Sequence, residues 1–334
     1  MDGETTSARY RRFAEVEARG SSSCYELWAL GIASDTELLS LIDRLPPEKR
    51  QPNLVLAAAR FLGVGDVSFP EFRRWVIRDW EAVAQVATAR RTQTNEVGRA
   101  AVLLPVLAQL AGPLALIEVG ASAGLCLYPD RFSYRYDDRT DLDPVGGASG
   151  VRLCCATTGQ PPIPDRLPEV VWRAGVDLNP LDVADADQMR WLETLVWPGQ
   201  PERLQRLRAA VAIAGADPIE VVSGDLNETV ADLVSAAPDE ATIVVFHSAV
   251  LAYLGVDARD RFERTVRTLR CHWVSNEGCG VIGSVADRLP VPASATPGRF
   301  VVALDGVPLG YAGAHGQRLD WFGPRSVPVR RREP

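Results

Sequence analysis

The sequence predicts an α/β protein in which a parallel sheet follows a helical region and ends in an antiparallel hairpin. After residue 114, short apolar runs alternate with amphipathic stretches, which is typical of a parallel sheet covered by helices on both faces. Near the end of the chain, Asp305 and Gly306 separate two apolar runs, and this dipeptide is a strong hairpin signal. No strand-like alternation occurs before residue 114. We therefore predict a helical region over residues 1–110 and an α/β domain over residues 111–334.

The helical region carries the signals of several helices. Their expected ranges are residues 54–62, residues 69–90, and a further helix from a cap at Thr94 or Asn95 through residue 110. Within residues 69–90 the apolar side chains recur at close to the helical period. Asn53 precedes the first helix as its expected N-cap, and Gly63 follows it as a stop. Pro105 is expected to kink the last helix.

The α/β domain divides into short strands and the helices between them. The expected strands cover residues 114–119, 170–176, 219–223, 241–247 and 271–275, and the hairpin covers residues 300–304 and 307–311. The expected helices cover residues 124–128, 183–214, 226–236 and 257–270. Residues 129–168 interrupt this alternation, and we expect a hairpin-like insertion with loops there.

Composition limits the classes of function. A formal net charge of −7 disfavours a broad nucleic-acid-binding surface, because neutralising phosphates requires clustered cations. The six cysteines lack C-x-x-C spacing, which is typical of free thiols in a reducing compartment. The histidines, His247, His272 and His315, are scattered and do not have the spacing of zinc ligands. The chain lacks a signal-peptide core and an apolar run of membrane-spanning length. We expect a cytoplasmic protein without a metal site, a nucleic-acid partner or a membrane partner.

The most specific motif begins at an acid that ends the first apolar run. Glu118 is followed two residues later by Gly120, and Gly124 opens the next apolar segment. This acid-x-Gly-x-x-x-Gly spacing resembles the first motif of class I S-adenosylmethionine-dependent methyltransferases, and glycine lets backbone pass close to a ligand. The dinucleotide fingerprint G-x-G-x-x-G fits worse, because Ser122 and Leu125 stand where it needs glycine. The candidate cofactor-binding residues of this loop are Glu118, Gly120, Ala121, Ser122 and Gly124.

Acids that follow later segments are candidates for contacts with a nucleoside. Asp177 ends the strand at 170–176 in a context that resembles the second motif of the same methyltransferases, where an acid accepts hydrogen bonds from ribose hydroxyls. Asp137 or Asp138 better matches the usual spacing of about 20 residues from the glycine loop. Both alternatives stay open, although the sequence context favours Asp177. Asp225 resembles the family's adenine-binding position, and it is equally suited to cap the next helix.

Two strand ends supply candidate catalytic residues. His247 ends the strand at 241–247, and a histidine that titrates near neutrality can act as a general base. Glu277 follows the strand at 271–275 and could serve as the base or orient a nucleophile. A purely structural hydrogen bond is the alternative for His247, and turn formation is the alternative for Glu277.

Taken together, the chain resembles an uncharacterised bacterial family of unknown function whose C-terminal part looks like a class I methyltransferase. The matching segments are residues 93–96 with Arg99, 118–125, 173–180, 191–198 with Arg203, 246–254, 275–278 and 313–321. The resemblance implies a Rossmann-like class I methyltransferase sheet and S-adenosylmethionine as the cofactor, but it implies no particular reaction. The insertion at about 129–168 departs from ordinary methyltransferases.

Our first hypothesis is a methyltransferase that uses S-adenosylmethionine and acts on a small molecule or a protein side chain. The alternative is a non-catalytic protein that binds S-adenosylmethionine or regulates another protein on the same scaffold, because one fold hosts many functions. A NAD(P)-dependent oxidoreductase is a weaker third hypothesis.

Overall fold

A computed structural model describes residues 4–93, 95–139 and 141–324. Within these ranges the chain forms two compact units. The first contains the residues up to 93 together with residues 185–208, and the second contains residues 95–184 and 209–324. The first unit is helical, and every described strand belongs to the second. Residues 95–110, which the sequence assigns to the helical region, thus lie in the unit that contains the sheet.

The described residues form α-helices α1 to α12 and strands β1 to β10. The helices are α1 (Thr6–Arg12), α2 (Ser23–Ala33), α3 (Thr36–Ile42), α4 (Pro52–Phe61), α5 (Phe69–Arg78), α6 (Trp80–Ala89), α7 (Ala100–Leu107), α8 (Ala186–Thr194), α9 (Pro201–Ala216), α10 (Leu226–Ala236), α11 (Val256–Thr268) and α12 (Gly283–Ala286). The strands are β1 (Leu114–Val119), β2 (Ser133–Tyr136), β3 (Arg152–Thr158), β4 (Val170–Asp177), β5 (Val221–Ser223), β6 (Thr242–Ser248), β7 (His272–Gly278), β8 (Phe300–Leu304), β9 (Val307–Ala312) and β10 (Arg318–Trp321). Shorter helical turns cover Phe13–Ala18, Pro47–Lys49, Val97–Arg99, Leu125–Leu127, Pro129–Arg131, Leu251–Tyr253 and Ala293–Ala295. Within the described ranges, no helix has both the length and the apolar character needed to cross a membrane.

An aromatic core holds the helical unit together. Trp28 of α2 stacks on Phe72 of α5 with ring centroids 4.1 Å apart, and the Trp28 indole donates a hydrogen bond to the carbonyl of Val67 at 2.9 Å. Trp191 of α8 belongs to the same buried cluster, and its ring packs edge-on against Phe61 of α4. These aromatic contacts bury large apolar surfaces in the core of this unit.

The predicted helix over residues 69–90 is two helices in the structure. They meet at Asp79, whose φ and ψ of −106° and 21° depart from helical values. The apolar period continues across the break because both helices bury side chains in the same core. The earlier helix begins at Pro52 rather than after an N-cap at Asn53, since proline has no N–H to satisfy and is favoured in the first turn.

The strand order is β2-β3-β10-β9-β8-β7-β6-β1-β4-β5. β1 is parallel to both of its neighbours, β4 and β6, and β5 and β7 extend this parallel part on either side. The chain adds β4 and β5 on one side of β1 and then crosses to add β6 and β7 on the other side. The order therefore reverses beside β1, and such a topological switch point opens a crevice at the carboxyl ends of the strands.

The mixed α/β class and the hairpin of β8 and β9 are confirmed. β8 and β9 pair antiparallel around Asp305 and Gly306, and β10, which the sequence analysis missed, continues the antiparallel run. In the described part of the insertion at 129–168, β2 and β3 are parallel and pair at the far edge of the sheet, and Tyr134 and Leu142 form a single antiparallel bridge. A parallel pair requires a long connection, which residues 137–151 provide.

The predicted helices at 226–236 and 257–270 are confirmed as α10 and α11. The predicted helix at 183–214 is divided into α8 and α9 by a segment that contains Pro198 and Gly199, the latter with a φ of 85°. Residues 124–128 form only a short 3₁₀ turn. Of the two caps expected for the next helix, Thr94 lies outside the described residues. The side chain of Asn95 bonds the loop after β1 instead.

Replacing Asp35 with alanine should lower the free energy of unfolding by about 1 kcal/mol. The Asp35 carboxylate caps α3 by accepting the amide hydrogens of Glu37 and Leu38 at 3.1 and 3.0 Å. Burial alone would raise the pKa of Asp35, but these amides and the guanidinium of Arg73 hold it below its usual value. The stabilisation is therefore complete above the unfolded pKa of about 3.9 and is lost as the pH falls through the folded pKa.

Urea unfolding of the Asp35→Ala and Asp35→Asn variants between pH 3 and pH 7 measures this effect. Asparagine keeps an acceptor for the cap, so it should lose less stability than alanine at neutral pH. Equal losses in the two variants would contradict the capping assignment.

Candidate functional site

The carboxyl ends of the parallel strands share one edge of the sheet, which we call the carboxyl rim. It includes the segments that follow β1, β4, β5, β6 and β7. Because β9 runs in the same direction as β7, the turn between β9 and β10 lies at this edge as well. The rim segments are residues 120–124, 177–179, 223–225, 248–253, 276–278 and 313–317. Apart from the alternatives Asp137 and Asp138, every predicted site residue lies on this rim or within two residues of it.

Left-handed backbone shapes the loop after β1. Gly120, Ser122 and Gly124 have φ angles of 73°, 53° and 69°. For Ser122 this conformation costs roughly 1–2 kcal/mol, because its Cβ crowds the neighbouring carbonyl. A Cβ on Gly120 would lie 2.3 Å from Cγ2 of Val250, so a side chain of the loop after β6 occupies the space beside this glycine. Glycine is thus required here by the packing of one rim loop on another, and the close approach of a cofactor to Gly120 stays a prediction.

The middle of the same loop is anchored on β4. Ala121 is buried, and its amide donates to the carbonyl of Val176 at 3.1 Å. A Cβ on Gly175 of β4 would lie 2.8 Å from that of Ala121, so this close approach needs the glycine. At Gly124, an added Cβ would lie 3.2 Å from Cδ1 of Ile219. The loop is therefore packed against protein on its inner side, and a ligand can approach it only from the outside.

Asp177 lies directly against the glycine loop. Its Oδ2 accepts the amide hydrogen of Ser122 at 2.8 Å, and its Oδ1 accepts that of Asn179 at 2.8 Å. Asp137 and Asp138 follow β2, which runs opposite to β1 because β3 and β10 are antiparallel to β9. They therefore lie at the other edge of the sheet. Of the alternatives that the sequence left open, the structure brings Asp177 to the loop.

Asp225 caps α10. Its Oδ1 accepts the amide hydrogen of Asn227 at 2.7 Å. The amide of the preceding residue, Gly224, donates to the carbonyl of Asp177 at 3.0 Å, so the ends of β4 and β5 meet here. Because a carboxylate has more acceptor positions than one cap requires, the cap is compatible with the predicted contact to adenine. That contact stays a prediction.

Glu118 is buried at the end of β1, with 4% of its surface exposed. Burial and, to a smaller extent, the charge of Asp177 raise the pKa of Glu118 well above its usual value, while the charge of Arg99 opposes them. The Oε2 atom of Glu118 has no hydrogen-bond partner among the described residues, and the same holds for Ser122 Oγ and Asn276 Oδ1. Each buried polar atom left unpaired costs about 1–3 kcal/mol. These atoms make the rim a candidate site for a polar ligand.

A short segment before α7 holds the glycine loop in place. The Asn95 side chain accepts the amide hydrogen of Leu125 at 2.9 Å and donates to the carbonyl of Ala121 at 3.3 Å. These bonds satisfy backbone groups that the left-handed turns of the loop leave without a strand or helix partner. Asn95 therefore supports the candidate site instead of capping a helix.

Two further residues of the same segment reach other parts of the rim. Arg99 donates from Nε to the carbonyl of Ala314 at 2.9 Å and from a terminal nitrogen to the carbonyl of Ser248 at 3.0 Å. One carboxylate oxygen of Glu96 lies 3.5 Å from Nδ1 of His315. These residues were not among those predicted for the site. In the sequence, only the resemblance segment at 93–96 with Arg99 pointed to them. The burial of a charged side chain depends on tertiary contacts, which the local sequence does not reveal.

The loop after β6 is also strained and strongly held. Ala249 has a φ of 58°, and its amide donates to the carbonyl of Asn276 at 3.0 Å. The Asn276 side chain donates to the hydroxyl of Ser248 at 2.8 Å. Oε1 of Glu277 accepts the next two amide hydrogens of the loop at 2.9 and 3.1 Å. Strained residues persist only where their surroundings over-determine them, and they cluster at functional sites.

His247, the predicted catalytic base, is completely buried. Its Nδ1 lies 2.7 Å from Oε1 of Glu277, and its Nε2 accepts the indole hydrogen of Trp273 at 2.9 Å. An indole nitrogen can only donate, so the His247 proton is on Nδ1 and is donated to Glu277. Both ring nitrogens therefore have protein partners. This geometry favours a role in holding the loop after β6, and catalysis by His247 or Glu277 stays a prediction.

Each histidine of the chain is paired with a different carboxylate. The pairs are His247 with Glu277 at 2.7 Å, His272 with Asp305 at 3.0 Å, and His315 with Glu96 at 3.5 Å. Within the described ranges, no group of three or more histidine, cysteine, aspartate or glutamate side chains is arranged to hold a metal ion.

A cavity of about 280 Å³ lies beside the glycine loop on the side of β5. Its walls are mainly apolar and include Ala123, Tyr128, Leu181, Ile219 and Val221. The predicted site residues are not part of this lining. The cavity therefore flanks the candidate site without containing it.

The chain belongs to a protein family described as "Uncharacterized protein conserved in bacteria (DUF2332)", whose family model matches residues 7–321. The match includes all of the rim segments, so the candidate site is part of the region that defines the family. A comparison with curated proteins finds no match. The family description states no activity, and a function must be argued from the site itself.

Replacing Glu277 with glutamine should lower the free energy of unfolding by about 1.5–3 kcal/mol, the usual worth of hydrogen bonds to a charged group. Burial alone would raise the pKa of Glu277, but the hydrogen bonds from His247 and from the amides of Val250 and Leu251 hold it below its usual value. The stabilisation is therefore complete above the unfolded pKa of about 4.3 and is lost as the pH falls through the folded pKa.

Urea unfolding at several pH values tests this, with the exposed Glu240→Gln as the control, for which a change within about 0.5 kcal/mol is expected. The difference between wild type and Glu277→Gln should shrink in acid. A difference that is independent of pH would show that the carboxylate charge is not what holds the loop.

Replacing Gly98 with alanine should lower the free energy of unfolding by about 1–3 kcal/mol. The new Cβ would lie 2.4 Å from the carbonyl oxygen of His315, so the turn at 313–317 must shift away from the turn at 97–99. The control is Gly215→Ala in α9, where the new Cβ meets no atom within 4 Å and alanine favours the helix by up to about 1 kcal/mol. Thermal unfolding of both variants measures the difference, and equal melting temperatures would contradict the close packing of these turns.

Proposed function

We propose that this member of the DUF2332 family binds S-adenosylmethionine at the carboxyl rim and transfers its methyl group to a small molecule or a protein side chain. The observation that carries the proposal is the topological switch beside β1. At that point the glycine loop, Asp177 at the end of β4 and the loop after β6 come into contact. In open α/β sheets, this is the place where nucleoside-containing ligands bind.

The polar groups of the rim suit a cationic nucleoside. The two oxygens of Asp177 each accept one amide hydrogen, and a carboxylate oxygen can accept a second bond, so this residue can bind ribose hydroxyls as well. Leu178, which is 69% exposed, offers apolar surface next to Asp177 on which a base can pack. Val250 fills the space beside Gly120, so the ligand must lie on the outer side of the loop.

Glu118 would provide the electrostatic part of the site. Its Oε2 has no hydrogen-bond partner within the described part of the chain, and burial raises the pKa of this carboxyl well above its usual value. S-adenosylmethionine carries a sulfonium and an ammonium, and a nearby positive charge favours the ionised form of a carboxyl. Binding of this cation would therefore offset the free-energy cost of removing the Glu118 carboxylate from water.

When bound, S-adenosylmethionine supplies a methyl group that is already activated by the positive sulfur. The chain's own task is then to align the two reactants and exclude water. The hydrogen bonds of Asn95 and Arg99 perform the first part of this task, because they hold the glycine loop and the loop after β6 in one arrangement. Preorganised backbone of this kind avoids the entropy cost of ordering the loops when the ligand binds.

The buried state of His247 favours a second candidate function, which is binding of S-adenosylmethionine without catalysis. Because Nε2 of His247 accepts the Trp273 indole hydrogen, it has no direct route to a substrate proton in this arrangement. A NAD(P)-dependent oxidoreductase gains no comparable support, since Ser122 stands where the dinucleotide fingerprint requires glycine.

S-adenosylmethionine and its demethylated product S-adenosylhomocysteine should both bind the purified protein and raise its melting temperature, whereas NAD and NADP should not. Calorimetric titration measures the affinities. Asp177→Asn should weaken the binding of both nucleosides roughly tenfold or more, which corresponds to about 1.4 kcal/mol. The matched control is Asp138→Asn at the opposite edge of the sheet, which should bind as wild type does. Absence of binding to the wild-type protein would end the proposal, and equal losses in both variants would remove Asp177 from the site.

A further inference from the structure

A second histidine–carboxylate pair lies on the carboxyl rim, and it differs from the His247 pair in its exposure. His315 belongs to the turn between β9 and β10, and 46% of its side chain is exposed. Its partner Glu96 has a side chain that is 2% exposed, with Oε2 at 3.5 Å from Nδ1 of His315. A buried carboxylate therefore faces one side of an imidazole whose surface is open to solvent. This is the arrangement in which a carboxylate orients a histidine and favours its protonated form.

The pair is held by close backbone packing. A Cβ on Gly316 would lie 1.9 Å from the carbonyl oxygen of Gly98, so only glycine lets the two turns approach this closely. The amide of His315 donates to Oε1 of Gln317 at 3.1 Å, which closes the turn on itself. Glu96 is oriented in turn, because its Oε1 accepts the amide hydrogen of Gly98 at 3.1 Å. Hydrogen bonds thus hold both the turn that carries His315 and the Glu96 carboxylate that faces it.

The turn is adjacent to the proposed cofactor crevice. The guanidinium of Arg99 bonds the carbonyl of Ala314, next to His315, and the carbonyl of Ser248, which begins the loop after β6. One side chain therefore spans the distance between the His315 turn and the loop that packs on Gly120. The charged groups that face His315 are Glu96 and Arg99. The charge of Glu96 favours the imidazolium, and that of Arg99 disfavours it.

We propose that His315 accepts the proton of the methyl acceptor and that Glu96 is the positioning residue for it. This inference rests on the proposed function, and it makes the acceptor a nucleophile that must lose a proton, such as a hydroxyl or a thiol. In the step, the acceptor atom forms a bond to the methyl carbon while the carbon–sulfur bond breaks and its electron pair stays on sulfur. The acceptor proton moves to the imidazole of His315. The sulfonium charge is thus replaced by an imidazolium charge, which the Glu96 carboxylate stabilises.

The test uses the full-length protein labelled with ¹⁵N in histidine, so that each imidazole can be titrated by NMR. The two probes are S-adenosylmethionine and S-adenosylhomocysteine, which differ in the methyl group and in the sulfonium charge. If His315 lies near the transferable methyl, the sulfonium should lower its titration midpoint relative to the neutral thioether, by about 1 pH unit at a separation of a few ångströms. His272 is the internal control, because it starts β7 at the opposite edge of the sheet and should show no difference.

The role of Glu96 is tested by Glu96→Gln, which should lower the titration midpoint of His315 in the free protein because the imidazolium loses its carboxylate partner. A midpoint that Glu96→Gln leaves unchanged would reject the pairing. If that variant fails to fold, the comparison of the two nucleosides on the wild-type protein still decides the proposal.

The outcomes separate this inference from the proposed function. Binding of both nucleosides with equal His315 midpoints would overturn the role of His315 and leave the cofactor site intact. Failure of both nucleosides to bind would overturn the proposed function, and with it the inference. A His315 midpoint that is lower with S-adenosylmethionine than with S-adenosylhomocysteine supports both the role of His315 and the proposed function.

Discussion

The hydrogen bonds made by residues 95–99 are the constraint on which the carboxyl rim depends. Asn95 bonds the loop after β1, Arg99 bonds the loop after β6 and the turn between β9 and β10, and Glu96 faces the histidine of that turn. These three rim segments leave the sheet, so neighbouring strands do not satisfy all of their backbone groups. A single short segment satisfies them with buried side chains and so brings distant parts of the chain into one arrangement.

Two buried glutamates of the sheet show how environment decides ionisation. Burial raises the pKa of Glu118, and the charge of Arg99 and the thiol of Cys126, which act in the opposite direction, do not compensate. Glu277 is equally buried, but three N–H donors converge on its Oε1 and hold its pKa below the usual value. The pKa of the same side chain is thus raised at the end of β1 and lowered at the end of β7. The first is suited to meet a cationic ligand, and the second is suited to hold a loop.

Strained backbone occurs on both sides of the topological switch. Ser122 after β1 and Ala249 after β6 have positive φ angles without being glycine. Neither conformation is favourable for the isolated chain, so each is stabilised by the amide and carboxylate bonds around it. The proposed methyl transfer would require backbone that is held in place in this way.

The sequence alone determined the elements whose cause is local. The apolar run of β1, the Asp305-Gly306 hairpin and the amphipathic α10 follow from side-chain period and turn chemistry, and the structure has them at or near the predicted positions. The break at Asp79 and the parallel pairing of β2 and β3 were missed. Apolar periodicity continues across a single non-helical residue, and it does not specify which strands pair or in which direction.

What only the tertiary structure decided is which polar residues meet. The choice between Asp177 and Asp137 required the direction of β2, and the pairing of Glu96 with His315 joins residues that are far apart in sequence. The burial of His247 between Glu277 and Trp273 likewise depends on the order of β6 and β7 in the sheet. A residue type sets which hydrogen bonds a side chain can make, whereas its partners and its desolvation are set by the packing of elements that the local sequence does not encode.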